Sequence, residues 1–333
     1  MKHVWGAHNR WIAPVCGLVL FIVGFVVGRT SALSGVQLPH ALRESGYKYI
    51  APVLLCNTTP NQDYNKDTAL TREISAYIDK MRENTVSVYY FELHSGGKWA
   101  GINENNNYAP ASMLKVPTML AVLKYADSHA DFLSKEIYFD GSFDDNKAEY
   151  FKPQQVIKPY RSYTVDQLLM YTIAYSDNNA TRLLNASIDQ PSLEAIYVDL
   201  GIQLPADATE NIDFMSARTY SFFLRVLYNS TYLSRGLSEK ALALMTRSDF
   251  PQGLQAGIPT SVEVAEKFGE RQVFTPNGTL SYRELHDCGI VYAPNNPYIL
   301  CVMTQGQEFN SLVSTIQGIS KIVYDNAQRR NGQ

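Results

Sequence analysis

The chain has 333 residues, of which 45% are hydrophobic and 18% charged, with a formal net charge of −3. That length suffices for one large domain or two small ones, and the charge balance excludes a basic nucleic-acid surface and an acidic tail. Four cysteines without a CxxC pair, and six histidines without metal spacing, exclude a zinc site and a disulfide scaffold. No metal and no cofactor is expected.

From the N-terminus, Trp11 to Gly28 is almost wholly apolar and bracketed by Arg10 and Arg29. At helical rise this stretch spans roughly 27 Å, close to a hydrocarbon core. The expectation is a single-pass transmembrane anchor over residues 11–28, with residues 1–10 cytoplasmic and the rest of the chain extracytoplasmic. Lys2 and Arg10 before the span, against Arg29 and Arg43 after it, bias this orientation only weakly. A cleaved signal peptide with Thr30-Ser31-Ala32 as its small-residue site is the alternative. Residues 29–65 read as a stalk, broken by Ser34-Gly35, Pro39, Pro52 and Asn57-Thr58-Thr59-Pro60. Within it Tyr47 to Leu55 is apolar enough to dock on the main domain, residues 66–328.

Leu70, Ile74, Tyr77, Ile78 and Met81 recur at helical spacing. Val86 to Leu93 predicts a strand, and Gly96-Gly97 turns it into a second around Trp99. A helix begins near Ser112. Thr164 and Gln167 form a capping box for a helix over Leu168 to Ile173. Further helices are predicted over Ser192–Leu200, Ser216–Tyr228 and Ser238–Thr246. Strands follow over Val262–Gly269, Glu284–Tyr292 and Tyr298–Thr304, the first two joined through Pro276-Asn277-Gly278. Cys288 and Cys301 fall on neighbouring strands, but the geometric demands of a disulfide make two separate thiols the expectation. The last helix places Phe309, Leu312, Val313, Ile316, Ile319 and Val323 on one face. This order predicts an α+β fold. Terminal helices cover one face of a central antiparallel sheet and middle helices the other, as a three-layer α/β/α sandwich with an all-helical subdomain.

Three short segments carry chemistry. In Ala111-Ser112-Met113-Leu114-Lys115-Val116-Pro117, residues three apart share a helical face, so Ser112 and Lys115 meet. Pro117 confines the helix start to the preceding turn. Ser112 therefore sits where unpaired N–H groups and the helix dipole favour a developing oxyanion. Its hydroxyl needs a base, and a lysine lowered by burial and a second cation can serve. In Tyr175-Ser176-Asp177-Asn178-Asn179, Ser176 offers a hydroxyl for proton transfer and Asn178 an amide for substrate; the same residues are also ordinary helix caps. In Glu266-Lys267-Phe268-Gly269-Glu270, Lys267 supplies positive charge and Gly269 admits a ligand to the backbone. The adjacent pair His286-Asp287 does not complete a serine triad, because neighbours on a strand point to opposite faces.

Ser-x-x-Lys, Ser-Asp-Asn and Lys-x-Gly follow one another about 64 and 91 residues apart, the order of the penicilloyl-serine signature. Over about Lys66 to Asn326 the chain resembles the class A β-lactamase family, within the wider group of penicillin-interacting serine enzymes. The resemblance implies that Ser112 attacks a lactam carbonyl, Lys115 acts as base or relay, and Ser176 delivers a proton to the departing nitrogen. It implies that Asn178 holds the substrate amide, Lys267 binds its carboxylate, and the backbone N–H groups of Ser112 and Glu270 form an oxyanion hole. Two departures stand out. Phe268 replaces the family's hydroxyl residue. The segment between Gly201 and Met215 is too short for the loop that carries the deacylating glutamate, leaving Asp207, Glu210 and Asp213 as acidic candidates. The implied partner is a small β-lactam or a peptidoglycan stem peptide, and the protein is expected to be a monomer. A β-lactam hydrolase leads, a D,D-peptidase follows, and a non-catalytic envelope-binding module is third.

Overall fold

Strands from both ends of the chain meet in one six-stranded sheet. The structure, a computed structural model, describes Leu18 and residues 46–52, 65–81, 84–93, 97–206 and 212–331. Residues 1–43 make one unit and residues 44–333 another. The predicted Trp11–Gly28 span lies outside the described residues except for Leu18. Among the described residues, no helix is long and apolar enough to cross a membrane.

The chain enters through β1 (Asn65–Lys66) and α1 (Thr68–Ile78), then β2 (Thr85–Glu92), β3 (Lys98–Ile102) and β4 (Asn107–Tyr108). A 3-10 turn over Ala111–Leu114 leads directly into α2 (Lys115–Ser128). Next come β5 (Glu136–Phe139), β6 (Arg161–Thr164), α3 (Val165–Ala174), α4 (Asn178–Asn185) and α5 (Gln190–Asp199). β7 (Met215–Ser216), α6 (Ala217–Asn229) and α7 (Arg235–Met245) follow. The end of the chain supplies β8 (Val264–Phe274), β9 (Leu280–Val291), β10 (Tyr298–Gly306) and α8 (Phe309–Asn331).

Local chemistry sets these boundaries. Asp67 caps α1 by accepting from Leu70 N at 2.9 Å. Thr164 and Gln167 make the reciprocal bonds of the expected capping box, at 2.9 and 3.1 Å. Gly278, at φ +82°, turns β8 into β9. That hairpin runs five residues further along β8 than its apolar content predicts, because the polar Arg271 and Glu284 sit opposite each other and pair.

The sheet order is β1-β3-β2-β10-β9-β8. It is antiparallel except at one edge, where β1 runs parallel to β3; α1 and β2 lie between them in the chain and provide the crossover. Strand alternation divides the core. Val86, Val88 and Tyr90 face Leu70, Ile74, Ile316 and Val323 of α1 and α8, whereas Tyr89 and Phe91 face Val116, Leu120, Phe223 and Leu227 of α2 and α6. The fold is therefore mixed α+β, with helices on both faces of a central sheet.

One expectation changes and another gains detail. Cys288 and Cys301 form a disulfide, because the β9–β10 register places them directly opposite each other with Cα atoms 4.0 Å apart. The Gly46–Pro52 segment docks as expected, but through polar contacts as well as apolar ones. Ile50 and Ala51 are buried, Ala51 N donates to Tyr228 O at 2.8 Å, and Glu239 accepts from the amides of Lys48, Tyr49 and Ile50.

Candidate active site

The turn carrying Ser112 is held from three sides. Ala111 adopts φ +48°, a left-handed conformation that costs a non-glycine residue roughly 1 kcal/mol and that its surroundings must enforce. Tyr220 on α6 donates to Met113 O at 3.2 Å. On β9, His286 Nδ1 accepts from Thr304 N at 3.2 Å, so Nε2 carries the hydrogen and donates to Ala109 O at 3.1 Å. Burial pushes His286 down to about 4 and keeps it neutral. On β8, a Cβ at Gly269 would lie 2.6 Å from Pro110 O. The expectation that Gly269 leaves room for a ligand is therefore corrected: the nucleophile turn itself fills that room. His286 and Asp287 point to opposite faces, and Asp287 accepts from Leu254 N at 2.8 Å instead.

Ser112, Lys115, Ser176 and Lys267 are all buried and converge. Lys115 Nζ lies 2.9 Å from Ser112 Oγ, 2.7 Å from Ser176 O, 3.0 Å from Ser176 Oγ and 2.6 Å from Asn178 Oδ1. An ammonium has three hydrogens for these four oxygens. The two carbonyl oxygens only accept, so they take two of the bonds. With Lys115 neutral, its lone pair is left to receive the Ser112 proton, which is the arrangement a general base needs. Ser176, held at φ +58°, also accepts from Lys267 Nζ at 3.0 Å. Burial, then the nearby Lys115, push Lys267 well below the usual lysine range, while Asp287, Glu149 and Glu266 oppose them. One hydroxyl thus bridges two amines, as a proton relay requires.

Three more residues complete the site: Asp177, which the sequence marks only as part of a helix cap, and Asn146 and Glu149, which no motif marks. Asp177 is fully buried and accepts from Asn146 Nδ2 at 2.8 Å, Asn179 N at 2.9 Å and Ile157 N at 2.7 Å. Asn146 Oδ1 accepts from Asn178 N at 2.8 Å. Glu149 Oε1 accepts from Asn178 Nδ2 at 2.5 Å. Together they sew the connection between β5 and β6 onto the Ser176–Asn179 corner. No periodicity marks that connection; only the Asp144-Asp145-Asn146 cap cluster could have drawn attention to it.

The remaining expected residues lie on β8. Lys267 faces Ser176. Phe268 turns to the other face, where its ring stacks on Phe250 at 4.1 Å and 18°. Glu270 is buried, and its Oε1 accepts from Tyr150 N at 2.5 Å and Phe151 N at 2.8 Å. Beside Ser112 opens a cavity of about 930 Å³, lined among others by Lys115, Glu149, Asn178, Tyr197 and Phe214. Of the short loop's acids, Asp213 pairs with Arg271 at 3.2 Å, and Asp207 and Glu210 lie outside the described residues. Among the described residues, no cluster of potential metal ligands occurs.

A model described as the beta-lactamase enzyme family matches residues 69–327. The chain belongs to that family. The match covers every strand of the sheet except β1, and all three motifs. Among solved structures, a leucine-to-glutamate variant of PBP-A, captured as its acyl-enzyme with penicillin G, is similar with a TM-score of 0.68 at 20% identity, covering 80% of this chain and 98% of that one. The TLA-3 extended-spectrum β-lactamase is similar with a TM-score of 0.66 at 20% identity, over 78% and 98%. A class A β-lactamase representative from Bacteroides cellulosilyticus DSM 14838 gives 0.62 at 22% identity, over 77% and 97%. At these identities the likeness is one of fold. No curated protein matches the chain.

Proposed function

We propose that this member of the beta-lactamase family is an active-site serine hydrolase that opens β-lactam rings through an acyl-enzyme on Ser112. The observation that carries the reading is the contact of Lys115 Nζ with Ser112 Oγ at 2.9 Å, in a site where Ser176 links Lys115 to Lys267. Lys115 takes the Ser112 proton as Oγ attacks the lactam carbonyl. The resulting oxyanion sits at the start of the 3-10 turn, near the N–H groups of Ser112 and Glu270. Ser176 then protonates the departing ring nitrogen, and a substrate carboxylate arriving beside Lys267 favours the charged form of that lysine and pairs with it. A chromogenic cephalosporin tests this: turnover is expected above that of Ser112→Ala, and equal rates in the two proteins refute it.

A second reading, a D,D-peptidase acting on peptidoglycan stem peptides, is favoured by one observation. Asp213 of the short loop is engaged with Arg271, which counts against it as a substitute for a deacylating glutamate. Under this reading, release of D-alanine from a stem peptide is expected, with a lasting penicillin adduct on Ser112 by intact-protein mass. The apolar Trp11–Gly28 stretch supports an extracytoplasmic catalytic domain on a membrane anchor. The Cys288–Cys301 disulfide agrees with an oxidising compartment. Fractionation that leaves the full-length protein in the soluble cytoplasmic pool would refute this placement.

A further inference from the structure

The acyl-enzyme reading requires a substrate amide to lie between Asn178 on the helical side of the cleft and β8 on the sheet side. That space is already bridged by side chains of the protein. Asn178 Nδ2 donates to Glu149 Oε1 at 2.5 Å and to Asp145 O at 3.2 Å, which uses both of its hydrogens. Glu149 and Glu270 are near enough for their carboxyls to interact, the Glu270 carboxyl accepting from Tyr150 N and Phe151 N, the two residues that follow Glu149. Tyr150 and Phe151 pack on Phe309 with ring centroids at 4.4 and 5.2 Å. A continuous chain therefore runs from Asn178 through Glu149 to Glu270, the residue whose backbone N–H is the second oxyanion donor.

We propose that Glu149 and Glu270 form a carboxyl clasp, sharing one proton, that occupies the substrate-amide position and must open before Ser112 is acylated. The proposal rests on the acyl-enzyme reading. Two carboxyls in hydrogen-bond contact hold together only while a proton lies between them; two carboxylates repel. Burial first, and then the Glu149 charge, push Glu270 up to about 7 against the Phe151 and Tyr150 amides. The other ionisable groups near the clasp are engaged elsewhere. Lys115 and Lys267 face Ser176. Lys152 of the same loop donates to the carbonyls of Asn146 and Lys147. Arg283 of β9 lies over the Phe309 ring and pairs with Glu308 at the start of α8. The proton stabilises the closed form fully below the ordinary glutamate value of 4.5, and this advantage is lost as pH rises through about 7.

The rate at which a fluorescent penicillin labels Ser112 reads the clasp. In the parent protein it is expected to rise about tenfold between about pH 6 and about pH 8. Glu149→Ala removes the clasp, so at about pH 6 it is expected to label about tenfold faster than the parent and to lose the step near pH 7. Glu149→Gln accepts from Asn178 and donates to an ionised Glu270, so it stays closed. At about pH 8 it is expected to label about tenfold more slowly than the parent. Slower labelling by Glu149→Ala, or equal behaviour of the two variants, overturns the proposal. If no β-lactam labels Ser112, the acyl-enzyme reading has failed and the clasp is judged separately. Carbon-13 NMR of the Ser112→Ala protein is expected to show Glu270, assigned through Glu270→Gln, titrating near 7 and moving down in Glu149→Ala. A midpoint near 4.5 in Ser112→Ala itself overturns the clasp.

Discussion

Lys115 must lose a proton to act as base and then point its lone pair at Ser112. The contacts to Ser176 O and Asn178 Oδ1 orient it by occupying two of its hydrogens. Arginine keeps the charge but does not deprotonate. Lys115→Arg is therefore expected to lower the acylation of Ser112 as severely as Lys115→Ala, about 10²–10⁴-fold. Penicillin labelling rates for the two variants check this, and near-parental labelling by Lys115→Arg would rule out a base role. Asp177 acts differently, as the acceptor for three donors, two on the β5–β6 connection and one at the start of α4. Asp177→Ala leaves those donors unpaired, at about 1–3 kcal/mol for each one that stays buried. It is expected to loosen the Asn146–Glu149 loop, seen as faster amide exchange at Ile157 and Asn179.

At the scale of elements, the two ends of the 44–333 unit are joined by charge as well as packing. Arg330 near the end of α8 pairs with Asp67, the cap of α1, and with Glu92 of β2 at 2.6 Å. Glu92 is buried and also accepts from Tyr90 Oη at 2.9 Å and Lys98 N at 2.7 Å. Removing the guanidinium leaves buried carboxylates without their cation. Arg330→Ala is thus expected to destabilise the fold by about 3 kcal/mol, measured by urea unfolding. β8 is the other element on which the site depends. Its edge position lets Lys267, Gly269 and Glu270 reach the catalytic turn and the loop above it.

For the whole molecule, buried carboxyls give an unusual pH dependence. Desolvation raises Glu270, Glu284 and Asp287 each to about 7 and Glu266 well above its ordinary value. Glu266 and Asp287 are both buried and close enough to interact, with Asp287 beneath Gly253, where a Cβ would lie 1.9 Å from Asp287 Oδ2. The folded state therefore holds protons that the unfolded chain releases. The stabilisation is fully present below the ordinary carboxylate values and is lost as pH rises through about 7. His286 works in the opposite sense: its contribution is present above 6.5 and lost as pH falls through about 4. The Tm is expected to peak in the mildly acidic range and to fall by several degrees towards about pH 8, at about 2–4 °C per kcal/mol. Calorimetry across that range checks it, and a Tm still rising at about pH 8 contradicts it.

The amino-acid sequence by itself determined the order of the major strands and helices and the identities of Ser112, Lys115, Ser176, Asn178 and Lys267. Hydrophobic period, caps and turn residues are local signals, and so is a three-residue spacing on one helical face. It did not reveal the β5–β6 pairing, in which Ile137 meets Tyr163 across a long loop, nor Glu149 on that loop. Nor did it settle Cys288 with Cys301, whose bond follows from strand register. Only the tertiary structure decided which side chain stands in the cleft, because desolvation and contact between Asn178, Glu149 and Glu270 arise when distant segments close on one another. The physical reason is that pairing energy depends on position in space, and local sequence carries little of that information across a loop as long as the one between β5 and β6.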